Sequence, residues 1–454
     1  MQADIVILAA GQGSRMKSKL PKVLHPLAGR ALVQHVIDQA STIEGAKMHV
    51  VVGHGAEQVE SALANQGAAF YLQAEQLGTG HAVAQAVPGL DAQGVTLILY
   101  GDVPLTPADL MQSMVQIAKR GHLALLTVEL ADPTGYGRIE RNAVNDVIGI
   151  VEHKDANESQ LAITEVNTGI LALPTALMME WLPKLSSNNA QGEYYLTDLI
   201  AMAAEAGIAI NTLNPNSEFE VQGVNNRRQL AELERWYQLQ QAGLLMDAGV
   251  TLADPARIDV RGKVTTGTDC SFDINLILEG EVEIGSNVII GPNCVIKNAQ
   301  IGDGVEILAN SHIEGAIIAA KATVGPYARL RPGTQLAEST KVGNFVEIKK
   351  ARVGQGSKVN HLSYIGDAEL GTEVNVGAGT ITCNYDGVNK SLTEIGDGAF
   401  IGSNSSLVAP VKVGAKATVG AGSTITREVA DEELAVARAK QRNIDAWVRP
   451  TKKV

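Results

Sequence analysis

Aromatic side chains are scarce in this sequence of 454 residues: Phe, Trp and Tyr together make up only 4% of it. Glycine, by contrast, occurs 46 times. Few rings and many glycines are typical of a fold whose interior is too narrow for aromatic side chains. The composition therefore favours, for part of the chain, a coil filled by Ile, Val and Ala.

Cysteine and long apolar stretches are rare as well. Cys270, Cys294 and Cys383 are too few and too scattered for a disulfide framework or a zinc cluster, and they indicate a reducing compartment. The first apolar run ends at Gly11, and no basic residues precede it as they would in a signal peptide. No segment approaches the length of a membrane span. We therefore expect a cytoplasmic protein with no membrane partner.

Positive charge is in deficit, because 37 Lys and Arg stand against 49 Asp and Glu, a formal net charge of −12. A general nucleic-acid-binding protein needs a basic face, so no nucleic-acid partner is expected. A local cationic pocket for a phosphorylated small molecule is compatible with this balance. The length predicts two or more domains.

A repeat dominates the second half of the chain. From Ile284 to Ile425, an aliphatic residue followed by Gly or another small residue returns almost every six positions. Examples are Ile284-Gly285, Ile290-Gly291, Ile301-Gly302, Val324-Gly325, Val342-Gly343, Val353-Gly354, Ile365-Gly366, Val376-Gly377, Ile401-Gly402 and Val419-Gly420. This period predicts a parallel β-helix, in which three units close one coil.

The first half alternates between strand and helix patterns. Apolar runs of strand length occupy residues 4–10, 49–52 and 95–100, and helix patterns occupy residues 31–41 and 56–65. This alternation predicts an α/β domain with a mainly parallel sheet. Such sheets bind ligands at the carboxyl ends of their strands.

Polar residues follow two of these runs. The turn Gly11-Gln12-Gly13-Ser14-Arg15 could present backbone N–H groups to a phosphate at a helix start, although glycines also make ordinary turns. Arg15 and Lys22 could neutralise a triphosphate, or both could simply be solvated. Asp102 suits Mg²⁺ held with a nucleotide's phosphates, or it could be a plain turn residue.

The remaining segments predict a linker helix, a projecting loop and the domain bounds. An amphipathic pattern that begins after Asn225 or Asn226, either of which could cap it, predicts a long helix. Residues 382–394 lack the six-residue period and predict a loop that projects from the coil. The predicted domains are residues 1–227, a linker helix at 228–248, the coil at 249–437 and a tail at 438–454.

Two cations in the coil break its local rule. Arg331 and Lys349 occupy a position that is small in most units, and their separation corresponds to three units, or one complete coil. They are expected on adjacent rungs, about 4.8 Å apart at the backbone, where like charges are unfavourable unless an anion lies against them. A sugar phosphate would satisfy both; alternatively they extend into water or pair with Glu347. His361 could accept a proton from an ammonium group, or it could be a polar surface residue.

The first half of the chain contains a series of short motifs in a characteristic order. They are Leu8-Ala9-Ala10-Gly11, Arg15-Met16, Leu20-Pro21-Lys22, Gln73, Gly78-Thr79, Tyr100-Gly101-Asp102, Gly135-Tyr136-Gly137-Arg138, Glu152, Asn167-Thr168-Gly169 and Val224-Asn225. Together they closely resemble the sugar-1-phosphate nucleotidylyltransferases over most of residues 4–227. The resemblance implies a Rossmann-like α/β domain in which a sugar phosphate attacks the α-phosphate of a nucleoside triphosphate in line and releases pyrophosphate.

The same resemblance implies roles for individual residues. It assigns base and ribose binding to Leu8, Ala9, Ala10, Gly11, Gln73, Gly78 and Thr79; phosphate contacts to Arg15 and Lys22; sugar binding to Gly137, Glu152 and Asn167; and Mg²⁺ ligation to Asp102 and Asn225. Tyr100 and Gly101 complete the expected nucleotide and sugar site.

The coil resembles the hexapeptide acyltransferases that use a histidine base and acetyl-CoA. Both halves together resemble a bacterial family of bifunctional enzymes that join a sugar nucleotidylyltransferase to such an acyltransferase. That family implies a left-handed β-helix and a homotrimer. It assigns the catalytic base to His361; amino-sugar phosphate binding to Arg331, Lys349, Tyr364 and Asn375; and acetyl-CoA contacts to Ala378, Asn384, Tyr385, Ser403, Ala421 and Arg438. The tail departs from the family pattern, since Ala439-Lys440-Gln441 and Ala446-Trp447 replace an expected Pro-Gln and Gly-Trp.

The implied function has two steps. Acetyl-CoA and glucosamine-1-phosphate would give N-acetylglucosamine-1-phosphate, which UTP and Mg²⁺ would convert to UDP-N-acetylglucosamine and pyrophosphate. One alternative is a nucleotidylyltransferase whose coil only oligomerises. Another is a non-catalytic assembly subunit, which should bind neither UTP with Mg²⁺ nor acetyl-CoA.

Overall fold

The structure is a computed structural model that describes residues 1–452. The chain divides into two compact units, and the division falls between Tyr237 and Gln238. This position lies inside the helix Arg227–Asp247. The domain bounds given above stay a prediction. Of the predicted tail, Lys453 and Val454 lie outside the described residues.

The first unit contains a nine-stranded sheet. In spatial order its main strands are Ile210–Leu213, Leu123–Glu129, Glu165–Pro174, Val95–Tyr100, Ala3–Ala9, Lys47–Val52 and Ala69–Leu72, with Arg138–Arg141 and Val147–Val151 attached at one side. The strands that carry the predicted site are parallel to one another. Glu165–Pro174 runs antiparallel to both of its neighbours in the main order. The prediction of a mainly parallel sheet is therefore confirmed: in the main order only Glu165–Pro174 runs against the other strands, and Ile210–Leu213 is again parallel to Leu123–Glu129.

Helices cover this sheet. The α-helices are Leu32–Ala40, Ala56–Ala62, Thr79–Ala86, Ala108–Lys119, Glu158–Leu161, Thr175–Trp181 and Asp198–Glu205. Every residue of Ala3–Ala9 is buried, as expected for a strand covered on both faces. Leu32–Ala40 buries Leu32, Val36 and Ala40, which share one helical face. The predicted strands and helices of this unit exist, with bounds that differ by a few residues.

The second unit is a parallel β-helix built from three ladders of short strands. The first ladder contains Val250–Leu252, Cys270–Phe272, Ile289–Ile290, Glu306–Ile307, Thr323–Val324, Lys341–Asn344, Lys358–His361, Asn375–Val376, Phe400–Ile401, Thr418–Val419 and Leu434–Ala435. The second contains His312–Glu314, Arg329–Leu330, Ile381–Cys383, Ser406–Val408 and Thr424–Ile425, and the third contains Ile317–Ile318, Gln335–Leu336, Thr393–Ile395 and Val411–Val413. The longer strands Ile258–Thr266, Leu276–Ile284, Val295–Ile301, Glu347–Val353 and Tyr364–Leu370 run through both of these ladders.

Aliphatic columns fill the interior of the coil. Leu330, Ile348 and Ile365 pair in register on successive rungs, and all three are fully buried. This column is what the six-residue period predicts. The step from rung to rung is not constant, however, because the step from Leu330 to Ile348 is longer than the step from Ile348 to Ile365.

The predicted loop is present. The strand Ile381–Cys383 ends, an isolated antiparallel bridge joins Tyr385 to Lys390, and the ladder resumes at Thr393–Ile395. Most side chains between these strands are exposed. The pairing of Ile381 with Ser406 shows that the coil continues in register beyond the insertion.

The predicted linker helix begins at an asparagine cap. The side chain of Asn226 accepts hydrogen bonds from the backbone N–H groups of Arg228 and Gln229, at 2.9 and 3.0 Å, so Asn226 is the predicted cap. Within residues 1–452, no helix is long and apolar enough to cross a membrane.

Candidate active sites

A cavity of about 230 Å³ opens at the carboxyl ends of the parallel strands of the first unit. Ten of the predicted nucleotide-site residues line it: Leu8, Ala9, Ala10, Gly11, Lys22, Gln73, Gly78, Thr79, Tyr100 and Asp102. The same wall includes Val23, Gln76, Ala82 and Glu193, which the sequence did not single out. The structure therefore brings together residues that are distant in the sequence, from Leu8 to Asp102.

The glycine-rich turn packs against one of the predicted cations. Gly13 has a φ of 61°, and a Cβ there would lie 2.7 Å from Cβ of Lys22, so a side chain would displace Lys22. Only a single 3-10 turn, Ser14–Met16, follows, and the first α-helix begins at Leu32. The expectation of a helix start directly after this turn is wrong, because Pro21 and a second 3-10 turn intervene.

Four polar side chains meet at the mouth of this cavity. Nζ of Lys22 forms an ion pair with the Asp102 carboxylate and donates to Oδ1 of Asn225 at 3.1 Å. Nη2 of Arg15 donates to the same oxygen at 2.9 Å. The backbone carbonyl of Asp102 accepts from Val224 N–H at 2.9 Å, which fixes the loop that carries Asn225. Two predicted metal ligands and two predicted phosphate contacts thus share one hydrogen-bonded cluster.

Amide and hydroxyl groups hold the side of the cavity at which base and ribose binding is predicted. Nε2 of Gln73 donates to the Gly78 carbonyl at 3.1 Å, which closes the loop before the helix Thr79–Ala86. Burial, followed by the nearby Asp102 carboxylate, raises the pKa of Tyr100, so its phenol stays protonated. The nearby Thr79 hydroxyl opposes this rise in the pKa of Tyr100. Gly101 donates its N–H to the Leu8 carbonyl at 2.9 Å and ties two strand ends together.

The predicted sugar residues lie around the hairpin of the sheet. A Cβ on Gly137 would lie 3.4 Å from both carboxylate oxygens of Glu152, so the two residues are neighbours. Asn167 donates its N–H to the Gly137 carbonyl at 2.9 Å. Burial is the largest cause of a raised pKa at Glu152, and a hydrogen bond from Thr197 at 3.1 Å opposes it. Thr197 was not predicted, because no local pattern marks a hydroxyl so far along the chain from its partner.

In the second unit, one column unites four of the eleven predicted acetyl-transfer residues. His361, Ala378, Ser403 and Ala421 each lie two positions after a buried residue of the first ladder. The N–H groups of Gly379, Asn404 and Gly422 donate across the rungs to the carbonyls of His361, Ala378 and Ser403, at 2.8–3.2 Å. These bonds stack the column one rung at a time.

The tail reaches the end of this column. Nη1 of Arg438 donates to the Ala421 carbonyl at 2.6 Å. Beyond Arg438, the described residues of the tail are exposed.

Arg331 and Lys349 lie on adjacent rungs, as predicted. Arg331 N–H donates to the Ile348 carbonyl at 2.9 Å, and the side chain of Arg331 pairs with Glu347 at 2.9 Å. The alternative in which Glu347 pairs with a cation therefore applies to Arg331. Lys349 differs, because contact with Lys390 is the largest cause of its lowered pKa. The lowered pKa of Lys349 therefore reflects the repulsion between neighbouring cations.

The loop contributes to the same region. Lys390 belongs to the loop after Ile381–Cys383, and the side chain of Asn384 donates to the Asp367 carboxylate. Asp367 in turn raises the pKa of Lys349, against the effect of Lys390. A Cβ on Gly366 would lie 2.4 Å from the hydroxyl of Tyr364, so the Tyr364 side chain folds over that glycine. Lys390 and Asp367 were not predicted, because the period does not describe the loop that carries Lys390 and Asp367 does not interrupt the repeat.

The α/β unit has a cavity at its strand ends, and the hexapeptide coil that follows has a column of predicted acyl-transfer residues. This combination is that of a bifunctional transferase. Family models agree: residues 5–149 match a MobA-like NTP transferase domain, residues 260–384 a GMPPB C-terminal domain, and residues 392–427 the bacterial transferase hexapeptide (six repeats).

Curated relatives extend over the whole chain. The chain is 62% identical to a bifunctional protein GlmU from Marinobacter nauticus and 61% identical to one from Cellvibrio japonicus, and each match covers 99% of both proteins. A solved UDP-glucose pyrophosphorylase complexed with UDP-glucose is 17% identical, with 52% of this chain and 98% of that chain covered and a TM-score of 0.41. The chain belongs to the GlmU family of bifunctional proteins. It is an enzyme of UDP-N-acetylglucosamine synthesis with uridylyltransferase and N-acetyltransferase activities.

Proposed function

We propose that the cluster of Arg15, Lys22, Asp102 and Asn225 is the phosphate and metal end of the uridylyltransferase site. The observation that carries this assignment is the convergence of both cations on the Asn225 amide oxygen, beside the Asp102 carboxylate. Arg15 and Lys22 bind the triphosphate and stabilise the charge that develops as pyrophosphate leaves. Catalysis then follows from positioning and charge neutralisation, without a covalent enzyme intermediate.

A divalent metal ion serves nucleotidyltransferases of this family, and we propose that it is Mg²⁺. The residues fit such an ion: a carboxylate and an amide oxygen, the donors that Mg²⁺ prefers, already converge on the cationic Lys22 ammonium. Mg²⁺ would neutralise phosphate charge. Asp102 and Asn225 would hold it, and Lys22 would then turn toward the phosphates.

The sugar phosphate is proposed to bind between the hairpin and the nucleotide cavity. Gly137 leaves room beside the Glu152 carboxylate, the N–H of Asn167 donates to the Gly137 carbonyl, and Oδ1 of Asn167 accepts from the Gly169 N–H. Glu152 accepts from Thr197 and can accept a sugar hydroxyl as well. These contacts hold the attacking phosphate oxygen in line with the α-phosphate.

Acetyl transfer is proposed to take place beside the His361 column. Arg331 and Lys349 bind the phosphate of glucosamine-1-phosphate, and Tyr364 and Asn375 contact its sugar. His361 takes a proton from the ammonium group, and the free amine attacks the thioester carbonyl carbon. A C–N bond forms, the C–S bond breaks, and coenzyme A leaves as a thiolate that regains a proton.

Acetyl-CoA is proposed to lie along the same column. Ala378, Ser403 and Ala421 leave it uncrowded, Asn384 and Tyr385 border it from the loop, and Arg438 supplies a cation for the coenzyme's phosphates. Hexapeptide transferases typically oligomerise, and we propose a homotrimer in which neighbouring coils complete each acetyl site. The cytoplasm is the proposed location, since both co-substrates are cytoplasmic metabolites.

A mass-spectrometric assay tests the two activities and their order. Glucosamine-1-phosphate, acetyl-CoA, UTP and Mg²⁺ are supplied together and then omitted one at a time. UDP-N-acetylglucosamine should form only with all four, and N-acetylglucosamine-1-phosphate should form without UTP. Uridylylation of supplied N-acetylglucosamine-1-phosphate without any acetylation of the amine would contradict the assignment of the coil.

The substitution His361→Ala tests the base. Acetyl transfer should fall by roughly 10²- to 10⁴-fold, the usual contribution of a general base, while uridylyl transfer stays unchanged. His312→Ala is the matched control, since His312 is an exposed histidine of another ladder. Loss of both activities in a folded protein would refute separate sites.

The substitution Asp102→Ala tests the metal end. Uridylyl transfer should fall by about 100-fold or more, and acetyl transfer should be retained. Asp109→Ala, at an exposed aspartate of the same unit, should leave both rates unchanged. Uridylyl transfer at the wild-type rate in the Asp102 variant, with the same Mg²⁺ dependence, would disprove the role of this carboxylate.

A further inference from the structure

The rung below His361 carries a polar residue that the proposed reaction does not yet use. Asn344 and His361 pair in register in the first ladder, so Asn344 precedes His361 in the column by one rung. Oδ1 of Asn344 lies 2.7 Å from Nδ1 of His361. The side chain of Asn344 is partly buried, whereas His361 is exposed. The ring therefore has a fixed partner on one nitrogen and an open side at the other.

The backbone holds the two rungs in a defined relation. Leu362 N–H donates to the Asn344 carbonyl at 3.1 Å. The His361 carbonyl accepts from Gly379 N–H at 3.2 Å and from the Ser363 hydroxyl at 2.8 Å. A Cβ on Gly343 would lie 2.0 Å from the Asn360 carbonyl oxygen, so the rungs approach as closely as a glycine allows. The contact between Asn344 and the ring follows from this spacing.

The chemistry of the contact determines which ring nitrogen is basic. An amide oxygen only accepts hydrogen bonds, so the nitrogen that faces it must carry the proton. In a neutral imidazole the other nitrogen then has the lone pair. Here that nitrogen is Nε2, which lies on the side of the ring remote from Asn344. Ala378 occupies the position equivalent to His361 on the next rung of the column. A base is useful only if this lone pair faces the substrate.

We propose that Asn344 is a positioning residue for acetyl transfer: it accepts the Nδ1 proton of His361 and thereby keeps Nε2 free as the base. The proposal rests on the assignment of His361 as that base. The same contact restricts the ring to one orientation, and it stabilises the imidazolium that forms when the amine gives up its proton. Asn344 itself touches neither substrate.

Two substitutions separate this role from a structural one. Asn344→Leu keeps a similar volume but removes the acceptor, so acetyl-transfer kcat should fall by roughly 10- to 100-fold, with KM for both substrates within about twofold. Asn344→Asp keeps an acceptor and adds a negative charge. Its kcat at alkaline pH should stay within a few-fold of wild type, and the acidic limb of its pH–rate profile should move to higher pH, because a carboxylate stabilises the imidazolium.

Hydrogen exchange of peptides that cover residues 320–380 reports on the integrity of the coil in each variant, and Gln335→Ala, at an exposed polar residue of another ladder, is the control. Wild-type kcat in Asn344→Leu would overturn the proposal. An equal loss in the Leu and Asp variants would also overturn it, because it would indicate a structural role. His361→Ala is measured alongside: if it retains acetyl transfer, the assignment of the base fails, whereas its loss beside an active Asn344→Leu removes only the role of Asn344.

Discussion

The narrow interior of the coil makes a quantitative prediction at Ile348. This residue is fully buried, and it lies between Leu330 and Ile365 on the adjacent rungs, which are also fully buried. Replacing it with alanine removes three carbons, a transfer loss of about 2.4 kcal/mol at about 0.8 kcal/mol per carbon. The cavity that remains adds to this loss to the extent that the surroundings cannot collapse.

Collapse is restricted in this coil. Arg331 N–H bonds to the Ile348 carbonyl at 2.9 Å, and Glu347 N–H bonds to the Ser363 carbonyl at 3.0 Å, so the rungs on both sides are fixed. The cost of Ile348→Ala should therefore lie in the upper part of the usual range, at about 3–5 kcal/mol. Ile348→Val removes one carbon from the same position and should cost about 0.5–1.5 kcal/mol.

Hydrogen exchange followed by mass spectrometry in increasing urea measures this cost. It separates the two units, whose unfolding need not be one transition. Peptides that cover residues 320–380 should lose protection in proportion to the predicted destabilisation, and peptides of the first unit should be unaffected. A cost for the alanine variant below about 1 kcal/mol, or equal to that of valine, would refute the reasoning that the rungs cannot close over a cavity.

Two further predictions concern charge. Lys349→Met should raise KM for glucosamine-1-phosphate by roughly tenfold or more, with uridylyl transfer unchanged. Lys341→Met, at another exposed lysine of the coil, is the control. An unchanged KM in Lys349→Met would remove Lys349 from the site. Burial is the largest cause of a lowered pKa at His35, whose Nε2–H donates to the Leu27 carbonyl at 2.8 Å. The folded state then binds fewer protons than the unfolded state, so the first unit should lose stability as the pH falls below the ordinary value of 6.5. The urea midpoint of His35→Gln should depend less on pH over this range than that of wild type, while exposed His54→Asn should behave as wild type; equal slopes in all three would count against the effect.

The sequence was informative where chemistry and position coincide. The six-residue period predicted the β-helix, because an interior this narrow accepts only aliphatic residues at one position in each unit. Asp102 and Lys22 could be identified because each follows a recognisable strand or turn. Arg331 and Lys349 were placed on adjacent rungs because their separation equals one coil, and their register confirms it.

Other features depend on register that a sequence alone does not reveal. Coils of slightly different length close equally well, and the step from Asn344 to His361 is shorter than the step from Leu330 to Ile348. The position of Asn344 beside His361 is therefore not evident from the period. The effect of Lys390 on the pKa of Lys349 depends on the conformation of the loop, which the period does not describe. The strand Glu165–Pro174 runs antiparallel to its neighbours, and nothing in its composition gives its direction.

The stacked column has a consequence for how this enzyme can change over evolutionary time. Its predicted reactive groups are separated by whole coils, and adjacent coils lie about 4.8 Å apart at the backbone. Duplicating one coil between His361 and Ala378 would move the proposed base one coil farther from the thioester without disturbing the fold. Lengthening the loop after Cys383 would leave the spacing between coils unchanged. Insertions of equal length should therefore change the spacing of the column at one place and leave it unchanged at another.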